Sequence, residues 1–231
     1  LHSSPAATVD EYAMNLLNLL SLYQVVPERI EGGILGSVVP ALTGRVLGAL
    51  RMLCSARFLT VGPGLKSGIK LRLDNPAQLG AELLCGAVAA LEEGPGPLAV
   101  ISADTAISIM AVNGKQELVG GVILPGPQLS LSALVQKTAQ LPQIDLSAPA
   151  SSSILGKNTS ACLQNGFVLG TAGLLDGLAE RFQAELGPDI RFYATGNLPR
   201  TIREACRTPI QYREYLITDG LYRIWQKNRK G

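Results

Sequence analysis

Four consecutive residues, Gly94-Pro-Gly-Pro97, divide this chain. Proline offers no backbone N–H and glycine is costly to order, so neither helix nor strand runs through such a stretch. The residue pattern changes across it. After the break come two apolar runs, Leu98–Ser102 and Ala106–Val112, then Asn113-Gly114, then a run from Glu117 to Leu124. Asn-Gly between such runs predicts a two-residue hairpin turn joining antiparallel strands. Helical spacing follows over Leu129–Thr138, Asn158–Leu186, Leu198–Ala205 and Thr218–Asn228, with a strand over Arg191–Thr195.

Before the break the signals differ. Thr8-Val-Asp-Glu11 is a capping-box pattern opening a helix to Tyr23. Gly33–Val39 predicts a short buried strand, and Pro40 suits the first turn of a helix to about Cys54. Arg57–Val61 predicts a second strand. Asn75-Pro76 predicts a cap and first helical residue, with the helix extending to about Glu92. The chain therefore divides into residues 1–94 and 95–231, both mixed α/β. Two short strands leave bare edges, so the first part is expected to lack its opening strands. These are expected upstream of Leu1 or in trans, with Leu1–Ser4 as the tail of a third strand.

Composition removes several function classes. Of 231 residues 47% are hydrophobic and 16% charged, the balance of a globular chain. A net charge of +2 makes no case for a nucleic-acid partner, and Lys227–Lys230 reads as a solvated tail. No apolar run is long enough to span a membrane. Cys54, Cys85, Cys162 and Cys206 are far apart, without C-x-x-C spacing. They predict neither disulfides nor zinc, but small buried residues in a reducing, cytoplasmic compartment. The sole histidine is His2, at the terminus. Ser-His-Asp and Cys-His catalysis and histidine metal sites are thereby disfavoured, and no metal ligands are assigned. Acid–base chemistry falls to carboxylates, lysines or backbone groups.

The segment from Val61 to Ala90 carries the most specific signal. It contains Val61-Gly-Pro-Gly64, Lys66-Ser-Gly68, Asp74-Asn-Pro76, Gly80-Ala81 and Ala87-Val-Ala-Ala90. This resembles the substrate-binding segment of the type III pantothenate kinases, which reads VGPG-x-KTG, YDNP, GADR and NAVAA. Further matches are Ser37–Pro40, Gly120–Gly126, Leu129–Leu134, Thr138–Pro142, Gly156-Lys-Asn-Thr159, Gly166, Gly170, Gly173–Gly177, Thr195-Gly196 and Gly220-Leu221. The resemblance implies an actin-like, sugar-kinase-type ATPase fold built from two ribonuclease H-like halves. It also implies ATP and a monovalent cation such as potassium.

What the resemblance implies for individual residues is mixed. The catalytic aspartate of GADR aligns with Glu82, its arginine with Leu83, and the tyrosine of YDNP with Leu73. Glutamate is one methylene longer than aspartate, and leucine cannot hold a carboxylate as arginine does. Val38, Leu73 and Gly80 are the implied substrate-binding residues. Thr159 would reach a neighbouring subunit's pocket, and it or Asn158 would cap the helix that follows. Thr105, Gly121, Gly126, Thr195 and Gly196 are the implied nucleotide-binding residues. The second phosphate loop aligns with Ser102-Ala-Asp-Thr105, where Ser102 replaces an aspartate and Asp104 a glycine. A carboxylate there would repel a triphosphate. Lys66 lacks Walker spacing and reads as a solvated loop lysine. Asp176 is expected on a helix surface or at a dimer contact.

Three functions fit this pattern. One is a non-catalytic subunit of a hetero-oligomeric pantothenate kinase, paired along the long helix with a full-motif relative and completing its pocket, or else paired with itself. Another is an active kinase for a small alcohol, with Glu82 as base. A third is a non-enzymatic regulatory protein on the same fold.

Overall fold

The computed structural model describes residues 7–148 and 153–229. The strand tail expected at Leu1–Ser4 lies outside them, as does Lys230 of the basic tail. The first helix, α1 (Val9–Leu22), is held by the expected capping box. Thr8 Oγ1 accepts from the Glu11 amide at 3.2 Å, and the Glu11 carboxylate accepts from the Thr8 amide at 2.6 Å. It packs on α2 (Pro40–Leu53) through Tyr12, Ala13, Leu42 and Ala49. Between and after these helices, β1 (Gly32–Leu35) and β2 (Arg57–Thr60) pair in parallel as a two-stranded sheet. The first strand ends at Leu35, short of Val39, and is only half-buried. Ser37 Oγ bonds both the amide and the carbonyl of Val39, bending the chain into the cap of α2.

A six-stranded sheet forms the centre, with β3 (Lys70–Leu71), β4 (Leu98–Ala103), β5 (Ala106–Val112), β6 (Glu117–Pro125), β7 (Arg191–Gly196) and β8 (Ile210–Tyr212) ordered β3-β6-β5-β4-β7-β8. Strands β4, β5 and β6 are antiparallel neighbours, while β7 and β8 extend the sheet in parallel. Every residue of β4 is buried because both faces are covered. Alternation sends Leu98 and Val100 toward α3 (Ala81–Glu92) and α7 (Leu216–Asn228). Ala99, Ile101 and Ala103 face α5 (Thr159–Leu186) and α6 (Arg200–Ala205). The remaining helix, α4 (Pro127–Gln136), follows β6 directly.

Three local expectations are corrected. Asn75 does cap, accepting from the Ala77 amide at 3.2 Å, but it opens a single 3-10 turn, Pro76–Gln78. The chain reopens at Leu79 and Gly80, with Leu79 packed on the core, and α3 begins only at Ala81. The hairpin does not use Asn113-Gly114 as a two-residue turn. Asn113 Oδ1 accepts from the amides of Lys115 and Glu117, and Gln116 alone in the turn takes a positive φ, 57°. The asparagine side chain therefore builds a longer turn than its Asn-Gly pairing suggests. Third, Asp176 is not on a helix surface. It is 3% exposed and accepts from the amides of Arg207 at 3.0 Å and Thr208 at 2.9 Å, anchoring the turn before β8. Burial alone would raise its pKa, but these hydrogen bonds and Arg207 outweigh it and lower it.

Helices α3 and α7 meet backbone to backbone. A Cβ on Gly220 would overlap the Cys85 carbonyl oxygen. Gly220→Ala should therefore force the helices apart and lower stability by about 2 kcal/mol, readable by denaturant titration. Asp176→Ala should cost about 2 kcal/mol, because the two amides it satisfies lose their partner. The depressed pKa adds a pH signature. The Asp176 contribution is present above its unfolded value and disappears as pH falls through the folded one, so the deficit of Asp176→Ala should shrink in acid.

Candidate active-site cleft

Three turns converge beyond the ends of β4, β6 and β7. The β4–β5 turn holds Asp104 and Thr105, the β6–α4 turn holds Gly126, and the β7–α6 turn holds Gly196 and Asn197. They are bonded to one another. The Gly126 amide donates to Thr105 O at 2.9 Å, the Asn197 amide to Ala103 O at 2.5 Å, and Asn197 Nδ2 to Asp104 Oδ1 at 2.9 Å. Gly126 is required here, because a Cβ would overlap the Asp104 carbonyl oxygen. Gly196 turns the chain at φ 80°. Together the turns enclose a cavity of about 430 Å³ lined by Asp104, Thr105, the first turn of α4, Ser132, Leu146, Asn197 and Pro199.

A second cavity, of about 490 Å³, is built from residues 61–81 and the Ser37–Pro40 turn. Val38 and Gly80 line it. Leu73 does not; it is half-buried against the core below. Adjoining it, and sharing Ser37, Val38 and Ala81 with it, is a smaller pocket of about 170 Å³ also bordered by Glu82, Cys85, Ile217 and Leu221. Glu82 sits in the first turn of α3 with part of its surface in solvent. Burial of its carboxyl, reinforced by the negative charge of Asp104, raises its pKa. The same surroundings push the buried Cys85 thiol up to about 12, so it is no nucleophile. Leu83, beside Glu82, is 7% exposed and belongs to the core with Val88, Val100 and Met110.

The structure thus gathers Thr105, Gly126 and Gly196 around the first cavity, and Val38 and Gly80 around the second. It leaves the other candidates apart. Gly121 lies within β6 opposite Met110, where a Cβ would overlap the Ile109 carbonyl oxygen. Thr195 is buried in the sheet, its hydroxyl donating to Glu214 O at 3.4 Å. Thr159 opens α5 on the opposite sheet face and is exposed; the capping role belongs to Asn158, whose Oδ1 accepts from the Ala161 amide. Asn197, Gln128, Ser132 and Leu146 were not singled out from sequence. Only Asn197 had a signal, its place directly after Thr195-Gly196. Cys162 is also exposed rather than buried, its thiol donating to Gly156 O at 3.3 Å.

Toward a nucleotide the first cavity is mixed. Thr105 and the first turn of α4 offer donors to a phosphate. Asp104 opposes one, and among the described residues no lysine or arginine lines the cavity. The residues present do not fit a bare triphosphate. The negative charge of Asp104 instead acts on Glu82, adding to the effect of burial on its carboxyl. A carboxyl with a raised folded pKa favours the native state below its unfolded value, and that advantage is lost as pH rises. Glu82→Gln should therefore gain thermal stability over the parent chain progressively as pH rises from the ordinary glutamate range through the raised folded value. A pH-independent difference in melting temperature would contradict the raised pKa.

Among the described residues, no helix is long and apolar enough to cross a membrane. Residues 1–181 match the sequence profile of the family described as type III pantothenate kinase. The chain is 38% identical over 230 residues to a type III pantothenate kinase of Rhodospirillum centenum, covering 96% of this chain and 86% of that protein. It is 37% identical over 226 residues to one of Koribacter versatilis, covering 96% and 80%. In structure it is similar to a conserved putative Baf family transcriptional activator from Campylobacter jejuni, with a TM-score of 0.57 at 17% identity over 91% and 89% of the two chains, a likeness of fold alone. With its cavities formed by the segments that carry that family's motifs, the chain belongs to the type III pantothenate kinase family.

Proposed function

We propose that this chain is a subunit of a type III pantothenate kinase complex that does not itself phosphorylate pantothenate. The complex would transfer a phosphoryl group from ATP, bound by the partner, to a pantothenate hydroxyl, opening coenzyme A synthesis. One observation carries the reading. Where the family places an arginine beside its catalytic carboxylate, Leu83 is turned into the core, and among the described residues the adjoining cavity has no charged side chain on its walls. An unpaired carboxylate is expensive to bury, so pantothenate has no anchor here. The cavity with Asp104 is equally ill-suited to a triphosphate.

The opposite sheet face supports the pairing half of the proposal. The loop before α5 is pinned in place. Asn165 Nδ2 donates to Ser153 O at 2.8 Å and Ile154 O at 3.2 Å, and a Cβ on Gly156 would overlap the first turn of α5. Thr159 is thus presented outward on a fixed support. Along the same helix Gly166, Gly170, Gly173 and Gly177 have open space where a Cβ would stand, room for close approach of a second helix. Strand order β6-β5-β4-β7-β8 supports reading residues 95–231 as one ribonuclease H-like half of an actin-like fold, with 1–94 as the other.

A second reading is favoured by the raised pKa of Glu82, which suits a general base. In it the chain phosphorylates a small uncharged alcohol. ATP turnover by the isolated chain, abolished in Glu82→Gln, would select that reading over the first.

The test of the first reading is co-expression with a full-motif type III pantothenate kinase from the same genome. In the purified complex, Thr159→Ala should raise KM for pantothenate about tenfold, the worth of one lost hydrogen bond, with kcat changed little. Failure of the chains to co-purify, or kinetics unchanged by Thr159→Ala, removes the reading.

A further inference from the structure

We infer that the last turn of α7 is a latch. Lys227 and Asn228 hold residues 62–68 in place, and that loop forms one wall of the cavity of about 490 Å³. Asn228 meets Lys66 as a neighbouring strand would. Its Oδ1 accepts from the Lys66 amide at 3.0 Å, and its Nδ2 donates to Lys66 O at 3.0 Å. The same Nδ2 donates to Ile224 O at 2.7 Å, so the carboxamide is oriented by its own helix. Beside it Lys227 Nζ donates to Ser67 O at 3.2 Å, a charge-assisted bond. Gly68 makes room for that ammonium. It takes a φ of 87°, and a Cβ there would overlap Lys227 Nζ. The basic stretch that reads as a solvated tail thus begins with two residues bonded to a loop 160 and 162 positions away.

The latch matters because little else ties the loop down. At one end the Val61 amide donates to Leu35 O at 2.8 Å, and at the other Lys70 already belongs to β3. Among the described residues, every hydrogen bond from the backbone of 62–68 to another element goes to Lys227 or Asn228. The remaining bonds are local. The Leu65 amide donates to Gly62 O at 3.3 Å, and the Ile69 amide donates to Ser67 Oγ at 3.2 Å. Leu65 adds apolar packing against the core. Gly64, at φ 94°, has open space where a Cβ would stand. The fixed half of the latch is α7, because Gly220 seats it against the backbone of α3. Gly62, Pro63, Gly64, Leu65 and Ser67 all line the cavity, so release of the loop opens that wall. A segment held by so few contacts belongs to the class that opens locally without global unfolding. The inference concerns access to the cavity. It rests neither on the pairing proposed above nor on which molecule enters.

Amide hydrogen exchange on the full chain tests it, read at the protected amides of Leu65, Lys66 and Ile69. Asn228→Ala should accelerate all three about tenfold and leave the amides of α3 and β4 unchanged. Asn228→Asp keeps the acceptor for the Lys66 amide and loses the donor to its carbonyl, so its rates should fall between those of Asn228→Ala and the parent. Lys227→Met keeps the aliphatic stem, removes the ammonium and touches none of the three amides directly. It should still accelerate all of them at least about threefold, and as an exposed position it keeps the test valid if Asn228→Ala does not fold. Access is read by iodoacetamide labelling of Leu65→Cys, made together with Cys162→Ser. Adding Asn228→Ala should quicken that labelling by a similar factor. Acceleration confined to Lys66 overturns the inference, because it reports one lost hydrogen bond and no opening of the loop. So does acceleration spread equally over α3 and β4, or exchange or labelling left unchanged.

Discussion

The packing of α3 between the central sheet and α7 is the contact on which the rest depends. Cys85 to Ala90 are buried without interruption, and Gly220 lets α7 approach until only backbone separates the two helices. This fixes the first turn of α3 at the junction of the cavities. Glu82 is there because the helix starts at Ala81, and Leu83 faces inward because the next side chain on that helix points at the sheet. Leu83 adds to the core and offers no charge to the cleft.

Electrostatics act in the same direction on both sides of α3. Asp104 and Glu82 bring two negative groups to the cleft, and burial together with the charge of Asp104 raises the pKa of Glu82. Lys70 and Arg72 of the neighbouring segment are exposed, and Glu117 pairs with both. Among the described residues, neither cavity has a lysine or arginine on its walls. The outer side of α5 carries the exposed Thr159 and glycines with open space beside them. On the function proposed above, the emphasis moves from the cleft to this surface.

Much of this was legible in the residues. The break at Gly94–Pro97, the capping box at Thr8, the long helix after Asn158 and the buried strands all appear where periodicity and capping place them. Errors arose where a side chain competed with the backbone or a distant contact set the boundary. Asn113 closes a turn with its own carboxamide, so the Asn-Gly rule failed. Leu79 is drawn to the core, so the helix announced at Asn75 began late. Strands β3 and β8 are too short to leave a pattern and exist because a neighbouring strand was available to pair with them. Asp176 read as a surface group because its amide partners lie 31 and 32 residues away.

By itself the sequence determined lineage and the alternation of strands and helices, since these are properties of residue order and local periodicity. It did not determine which way Leu83, Lys66, Lys70 or Arg72 point, nor that Asn197 bonds Asp104 across the mouth of a cavity. Those are decided by strand register, the depth at which α3 is buried and the convergence of three separate turns. Such quantities come from contacts between residues far apart in the chain, where local pattern carries no information.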